Sequence, residues 1–576
     1  MAIQTLLSDL APTTLALTPT QLTALLFLLW LLYALQLGVR RLYFSPIAHV
    51  PGPRLAALTQ LYEFYYDIVL GGQYTFKIIE LHRRYGPVVR ISPWEVHVGD
   101  PEFFSELYTG PGRVREKWGF YTQQLTGNGE SALATVNHDH HKLRRAALNP
   151  FFSTQTVRKL QPVIEERVDA LLDRLLELSE RSKEPLDVMY PFSAFTNDVI
   201  NEYSFARSDH LIEDETFGKV VTDNLLMGTH LGPMIKHMNW ALTLVNALPE
   251  SFSGRFIPGQ FFSPTMHRRL SLWLTTYTSH LHTGWGGFLK MKNDIKDQIG
   301  EIKATQHTEK WQLDVSHPTI FHDMLSSKLL PPAEKTVSRL AQDGQILVQG
   351  GTLTTSWTLS LAVFHLLNRP STLRRLRDEL FSAIPDRDAV VPLAELENLP
   401  YLRGVVKEAL RLGFGTSSRL ARVCPDETLV YHDKDGSGRS VHLPPGTVIG
   451  MSTYKTQTDP RIYHDPFGFH PERWVEDGER LEKYLTVFCG GTRVCLGMAL
   501  AQAELYLMLA KLFRRWGGAG VVDGSGKGGE DRRVGDVGVL RIFETTVRDC
   551  EMAADYFIPI PYNESKGIRV VFDRQH

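Results

Sequence analysis

Phe488-Cys489-Gly490-Gly491-Thr492-Arg493-Val494-Cys495-Leu496-Gly497 is the stretch on which the reading of this 576-residue chain turns. Glycines bracket it and let the backbone bend tightly around Cys495, with Arg493 two residues before. Amide hydrogens in such a loop can point at the sulfur and tune it. The apolar, helix-forming residues that follow, 498–505, put a thiolate near a helix N-terminus, where negative charge is favoured. A cysteine beside two glycines, taken alone, reads as a buried structural thiol. The spacing F-x-x-G-x-R-x-C-x-G fixes too many positions for that reading to lead.

Bulk properties narrow the field. The length allows one large domain or two to four ordinary ones, and 43% hydrophobic with 22% charged residues is ordinary for a globular chain. A formal charge of −2 gives no basic field for nucleic acid. Four cysteines in so long a chain form no disulfide framework, and Cys489 and Cys495 have no second pair nearby to complete a zinc site. Residues 10–39 carry no charged side chain, and 22–39 are almost wholly apolar, about the length that spans a bilayer core. Arg40 and Arg41 follow at once, which favours a cytosolic C-terminal side. A cleaved signal peptide is the weaker alternative, because no Lys or Arg precedes the apolar run. The expected division is therefore 1–45, a luminal N-terminus and transmembrane anchor, and 46–576, one catalytic domain.

Pro51-Gly52-Pro53 makes a stiff turn after the anchor, and no later linker or repeat divides the chain. Two polar stretches, 293–316 and 517–538, read as surface loops. Residues 157–178 show apolar residues at helical spacing. The clearest helix runs over 333–368, opened by Pro331-Pro332 and closed by Pro370, roughly 54 Å at 1.5 Å per residue. Short strands are expected at 88–91 and 447–450. The fold class is mainly α with small β-sheets.

The Cys495 loop resembles the haem-binding loop of the cytochrome P-450 family. The resemblance implies a cytochrome P-450 fold with haem b as cofactor, Cys495 as the axial thiolate and metal ligand, Arg493 on a haem propionate and Phe488 beside the sulfur. Gly350-Gly351-Thr352-Leu353-Thr354-Thr355 is similar to the family's oxygen-binding motif, with Thr354 as the catalytic proton-relay threonine. The two helical glycines cost about 1 kcal/mol each, offset either by close approach of a flat ligand or by a helix crossing. Leu353 departs from the pattern, standing where the family carries an acid. Glu408 and Arg411, with Arg473 in Phe469-His470-Pro471-Glu472-Arg473-Trp474, match the family's salt-bridged triad, a structural element. By the same resemblance His141, Arg145 and Arg419 are propionate ligands, with Gly350 and Gly351 against the cofactor. Trp118, Phe120, Tyr121, the stretch 413–418, Tyr556 and Phe557 fall where members line the substrate pocket.

The implied function is a haem-thiolate monooxygenase, single-pass on the endoplasmic reticulum membrane with a cytosolic catalytic domain. It uses dioxygen and electrons from a separate NADPH-cytochrome P-450 reductase, since no dinucleotide fingerprint follows a strand. Its substrate is a lipophilic secondary metabolite: the C-terminal stretches 543–549 and 566–569 look similar to fungal members of the trichodiene oxygenase type. A terpenoid leads, and a polyketide or polyketide–peptide hybrid comes next. Two alternatives stand beside it: a non-oxygenating isomerase, dehydratase or desaturase, which Leu353 keeps open, and a haem-binding sensor without turnover.

Overall fold

A helix of 32 residues, Val337–Asn368, runs about 48 Å through the middle of the domain. In the computed structural model, which describes residues 18–125, 128–239, 268–306, 317, 319–433, 440–519 and 530–574, the other long helices are arranged around it. The helices used below are α1 Pro19–Tyr43, α2 His138–Leu148, α3 Thr154–Arg181, α4 Met189–Phe205, α5 Lys219–His237, α6 Arg268–Thr305, α7 Val337–Asn368, α8 Pro370–Ala383, α9 Pro400–Gly413 and α10 Met498–Arg515. In α3, Val157, Leu160, Ile164, Val168, Leu171 and Leu175 are buried, the three-and-four spacing that its sequence announces. The start of α7 differs from expectation. Pro331-Pro332 opens a 3-10 turn, Pro332–Lys335, and the helix proper begins after Thr336, whose side chain accepts from the Arg339 amide as N-cap. Pro370 ends the helix by beginning the next, at the first position of α8, where its missing N–H costs nothing.

The stretch 293–316, expected as a loop, is helical over 293–305. Residues up to Thr305 continue α6, because Ile295, Ile299 and Ile302 fall on one face and are buried; residues 307–316 lie outside the described residues. The polar residues that suggested a loop form the exposed face. At 517–538 the ends are strands and 520–529 lie outside the described residues.

The sheets are small. One five-stranded sheet has the order β1 (Val88–Arg90), β2 (Glu95–Val98), β8 (Val448–Gly450), β5 (Arg422–Val423), β3 (Glu116–Lys117). A second joins β10 (Glu530–Asp531), β9 (Trp516–Ala519), β11 (Gly538–Ile542), β14 (Arg569–Arg574) and β4 (Leu186–Asp187), tying the C-terminal strand to the start of α4. Two hairpins, β6–β7 (Leu429–His432, Ser440–Leu443) and β12–β13 (Ala554–Tyr556, Ile558–Ile560), complete the β-structure among the described residues.

Two further features were legible beforehand. α1 is capped by a Thr18–Gln21 capping box, ends on Arg40 and Arg41, and has no buried residue. With a mean hydropathy of 2.1 it is long and apolar enough to cross a membrane. The expected luminal residues 1–17 lie outside the described residues. On α9, Glu408 and Arg411 are both fully buried and meet through two hydrogen bonds of 2.9 and 2.8 Å. Glu408 also meets Arg473 Nε at 3.2 Å and accepts from the Trp474 indole and the His470 amide. Arg411 donates onward to the carbonyls of Gln457, Pro466 and Gly468. The expected triad is a buried ion-pair knot that fastens the irregular segment 457–474 to α9.

Candidate active site: a thiol, a glycine floor and a cationic rim

A cavity enclosing about 2210 Å³ between atoms, its solvent mouth included, lies beside α7 and receives the Cys495 loop. The loop is held by backbone contacts. Cys495 donates its amide to the Phe488 carbonyl at 2.8 Å, closing the bend. Gly491 sits at φ +67°, and a Cβ there would lie 2.0 Å from the Thr109 carbonyl oxygen, so only glycine fits. Cys489, by contrast, is a side-chain-bearing residue held at φ +60°, ψ −160°, a region that glycine normally occupies.

Cys495 lines the cavity and its thiol is exposed to that open space. Desolvation pushes that thiol up, against the pull of the Gly497 amide and the Arg145 guanidinium. A sulfur so placed is a poor free thiolate and a good ligand for a cation that neutralises it. Phe488 lines the same wall.

Gly350 and Gly351 of α7 both line the cavity, and only one of them also serves a helix crossing. A Cβ at Gly350 would meet nothing within 4 Å, because that side is open cavity. A Cβ at Gly351 would meet Ile200 of α4 at 3.2 Å, so this glycine serves the helix crossing. The same α4–α7 seam carries small polar contacts, Asn197 to Thr352 at 3.1 Å and Ser193 to Ser356 at 3.1 Å. Thr354 lines the cavity, and its hydroxyl donates to the Gly350 carbonyl at 2.8 Å, leaving the oxygen lone pairs free to accept.

The rim is basic. His141, Arg145 and Arg493 line the cavity as expected, together with Lys117 and Arg422. Lys117 and Arg422 are directly opposite each other on the antiparallel strands β3 and β5, a like-charge pair that is unfavourable unless an anion intervenes. None of Lys117, Arg145, Arg422 and Arg493 has a carboxylate within salt-bridge distance among the described residues. Burial, then Arg422, brings Arg493 down to about 9. Burial, then Arg422 and Arg493, holds Lys117 well below its ordinary value. Burial, then Arg493, drives His141 down to about 2, so it is a neutral imidazole. Arg493 is further anchored by donating to the Thr135 and Val136 carbonyls at 2.7 Å. The adjacent Arg144 turns the other way and pairs with Glu334 at 2.7 Å.

Arg419 corrects the expectation. It does not line the cavity: its guanidinium is buried against Glu95, at 2.7 and 2.9 Å, and Glu63, at 2.8 Å. Arg422, three residues on, occupies the cavity wall. The signal was ambiguous in sequence, since two arginines on one extended segment look alike and the carboxylates that claim one of them lie 324 and 356 positions away. Of the expected pocket aromatics, Trp118, Tyr121 and Phe557 line the cavity. Phe120 packs on His237 and Tyr556 on His230. Gly415 and Thr416 are the part of 413–418 that reaches it.

The Cys495 thiol with Cys489 beside it, a glycine of α7 bordering open space and a rim of cations without carboxylate partners among the described residues fit a flat dianionic porphyrin such as haem b. Comparison with known proteins agrees. The Cytochrome P450 family model matches residues 51–257 and 259–517. The chain is 42% identical over 538 residues to cytochrome P450 monooxygenase tpcC of Cochliobolus heterostrophus, covering 93% of this chain and 94% of that one. It is 37% identical to tryptophan 6-hydroxylase fscE of Fusarium equiseti and 36% to N-acetyltryptophan 6-hydroxylase ivoC of Emericella nidulans, each covering 96% of this chain and 97% of the relative. A cavity built for a thiolate-bound dianionic ring, on a mainly helical frame with small sheets, thus belongs to a chain that is a member of the cytochrome P450 family, a haem-thiolate oxidoreductase related to the monooxygenases of fungal secondary metabolism.

Proposed function

We propose that the protein is an endoplasmic-reticulum monooxygenase, held by α1 with its catalytic domain in the cytosol. It hydroxylates a lipophilic, ring-bearing secondary metabolite with electrons from an NADPH-cytochrome P450 reductase. Bound haem supplies the reductive activation of dioxygen and the transfer of one oxygen atom to carbon. The residues do the rest. Cys495 would hold the haem iron as a thiolate, a ligand that donates electron density to it. Arg145, Arg422, Arg493 and Lys117, with neutral His141 as a hydrogen-bond donor, hold the two propionates; Phe488 and Gly350 bound the ring. Thr354 accepts from a water in the cavity and orients it for proton transfer.

The observation that carries this reading is the group of cations without carboxylate partners among the described residues that lines the same cavity as the Cys495 thiol. The reduced protein under carbon monoxide should show the red-shifted Soret band of a cysteinate-ligated porphyrin. Labelled dioxygen then separates the readings, since an unlabelled product would favour the isomerase, dehydratase or desaturase; NADPH oxidation stimulated by a lipophilic ligand would exclude the sensor.

Trp118, Tyr121, Leu353 and Phe557 line the same cavity as Thr354, which suits a lipophilic guest. The relatives whose printed names state a substrate act on tryptophan and N-acetyltryptophan. A planar ring, indole or polyketide-derived, therefore ranks ahead of the terpenoid that the C-terminal stretches suggested. Deleting the gene and identifying the metabolite that accumulates decides among them.

A further inference from the structure

A second cavity adjoins the first and encloses about 1500 Å³ between atoms, its solvent mouth included. Leu353, Thr354, Gly415 and Ile558 line both, so they form the neck between the two. Beyond the neck the second cavity follows one face of α7, on which Leu353, Trp357 and Ser360 stand at four-and-three spacing. The run from Leu353 to Ser360 carries it roughly 10 Å along the helix. Leu226 of α5 and Ile560 of β13 add apolar wall. Buried polar groups on the walls are already engaged: Ser360 donates to the Ser356 carbonyl at 2.8 Å, and Asp187 accepts from the Met189 amide at 3.1 Å. The outer end is polar and wet. Lys219 there is 49% exposed, donates to the Tyr190 hydroxyl and pairs with Asp223 at 2.9 Å, and Lys566 is 73% exposed. This mouth opens at the start of α5. The other end of that helix, roughly 26 Å away, is tied through Lys236 to Glu63 and Asp67 at 2.6 and 2.7 Å. Those acids follow the short helix Arg54–Leu58, whose Leu58 carbonyl accepts from Arg41 of α1 at 2.5 Å. The second mouth therefore lies at the end of α5 away from the apolar helix α1.

We propose that this second cavity is the far half of the substrate site and that the substrate has two parts. A ring is oxidised beside Thr354, and an apolar arm crosses the neck at Leu353 and ends in a polar group at the Tyr190–Lys219 mouth. This rests on the monooxygenase reading above. It makes Leu353 a specificity-determining residue. A carboxylate at that position would set a charge in a neck that an apolar arm has to pass, and desolvating it is costly. Leucine, 2% exposed, keeps the neck apolar. The walls beyond it gain from burying the arm, since apolar area removed from water is the main favourable term. The mouth carries both signs of charge, Lys219 beside Asp223 and Lys566 beside Glu544 at 4.0 Å, so it suits a neutral hydrogen-bonding end, a hydroxyl or an amide, and not an ion.

The test uses the full-length haem-loaded protein and two imidazoles, whose ring nitrogen ligates haem iron and shifts its Soret band. N-phenylimidazole carries one ring. N-(hydroxydodecyl)imidazole carries a long apolar arm with a hydroxyl at its end. Spectral titration of the wild type should show the long probe binding more tightly than the short one. Leu226→Trp, which fills the second cavity, should weaken the long probe by about tenfold or more and leave N-phenylimidazole and the carbon monoxide band as they were. Leu353→Asp, which places a carboxylate in the neck, should weaken the long probe as well. Intact binding of the short probe shows in each case that the variant is folded. Unchanged binding of the long probe in both variants, or equal losses for the two probes, overturns the inference. A wild type that binds both probes as expected but puts no labelled oxygen into its product overturns the monooxygenase reading instead.

Discussion

Two sets of buried arginines in this molecule look alike in the sequence and differ in the fold. Arg411 is fully buried and saturated: Glu408 takes two of its donors and three backbone carbonyls take the others. Arg419 is likewise closed by Glu95 and Glu63. At the cavity rim, Arg422 faces Lys117 across a strand pair and Arg493 lies close by, and none of these has a carboxylate partner among the described residues. Burying charge is costly unless it is paired. Cations that the protein pairs itself hold the fold; cations that it leaves together mark where an anionic group completes the structure.

The contrast breaks first at its centre. Cys495→Ser should abolish the red-shifted carbon monoxide band and with it product formation, read by difference spectroscopy and turnover. Next, Glu408→Ala should destabilise the fold by about 3–5 kcal/mol, since it leaves Arg411 buried without its partner; thermal unfolding would show it, and haem content would fall in step. The pair Arg422→Ala and Arg419→Ala sharpens the comparison. Arg422→Ala should weaken haem retention by about 1.5–3 kcal/mol, roughly one to two powers of ten in transfer to an acceptor apoprotein, with little change in apoprotein melting. Arg419→Ala should do the reverse, lowering the melting temperature because Glu63 and Glu95 lose their counter-charge. Equal effects of the two on haem transfer would erase the distinction. The smallest effect has the opposite sign. Cys489→Gly should raise stability by about 1 kcal/mol by relieving a backbone that only glycine adopts freely, while the carbon monoxide spectrum stays unchanged.

Much of this was readable in advance, and for definite reasons. Wherever a function depends on residues close in sequence, spacing carried it. The Cys495 loop, the Glu408–Arg411 pair one helical turn apart, the uncovered apolar run of α1 and the α7 core are all local patterns. Misreadings came where a residue's partner is distant. The polar face of 293–305 looked like a loop because the buried Ile295, Ile299 and Ile302 acquire their meaning from packing. Arg419 and Arg422 were indistinguishable until Glu63 and Glu95 arrived from the far end of the chain. Lys117 had no motif at all; it matters because β3 pairs with β5.

From its residues alone this chain fixed a thiol-bearing loop, a glycine-bearing central helix and an apolar N-terminal run, because each is written in short-range spacing and backbone preference. Which arginines face the cavity, and which glycine borders open space and which packs on a neighbouring helix, were decided only by tertiary structure. Charge, burial and open space are properties of what surrounds a side chain, and those surroundings come from segments hundreds of positions apart.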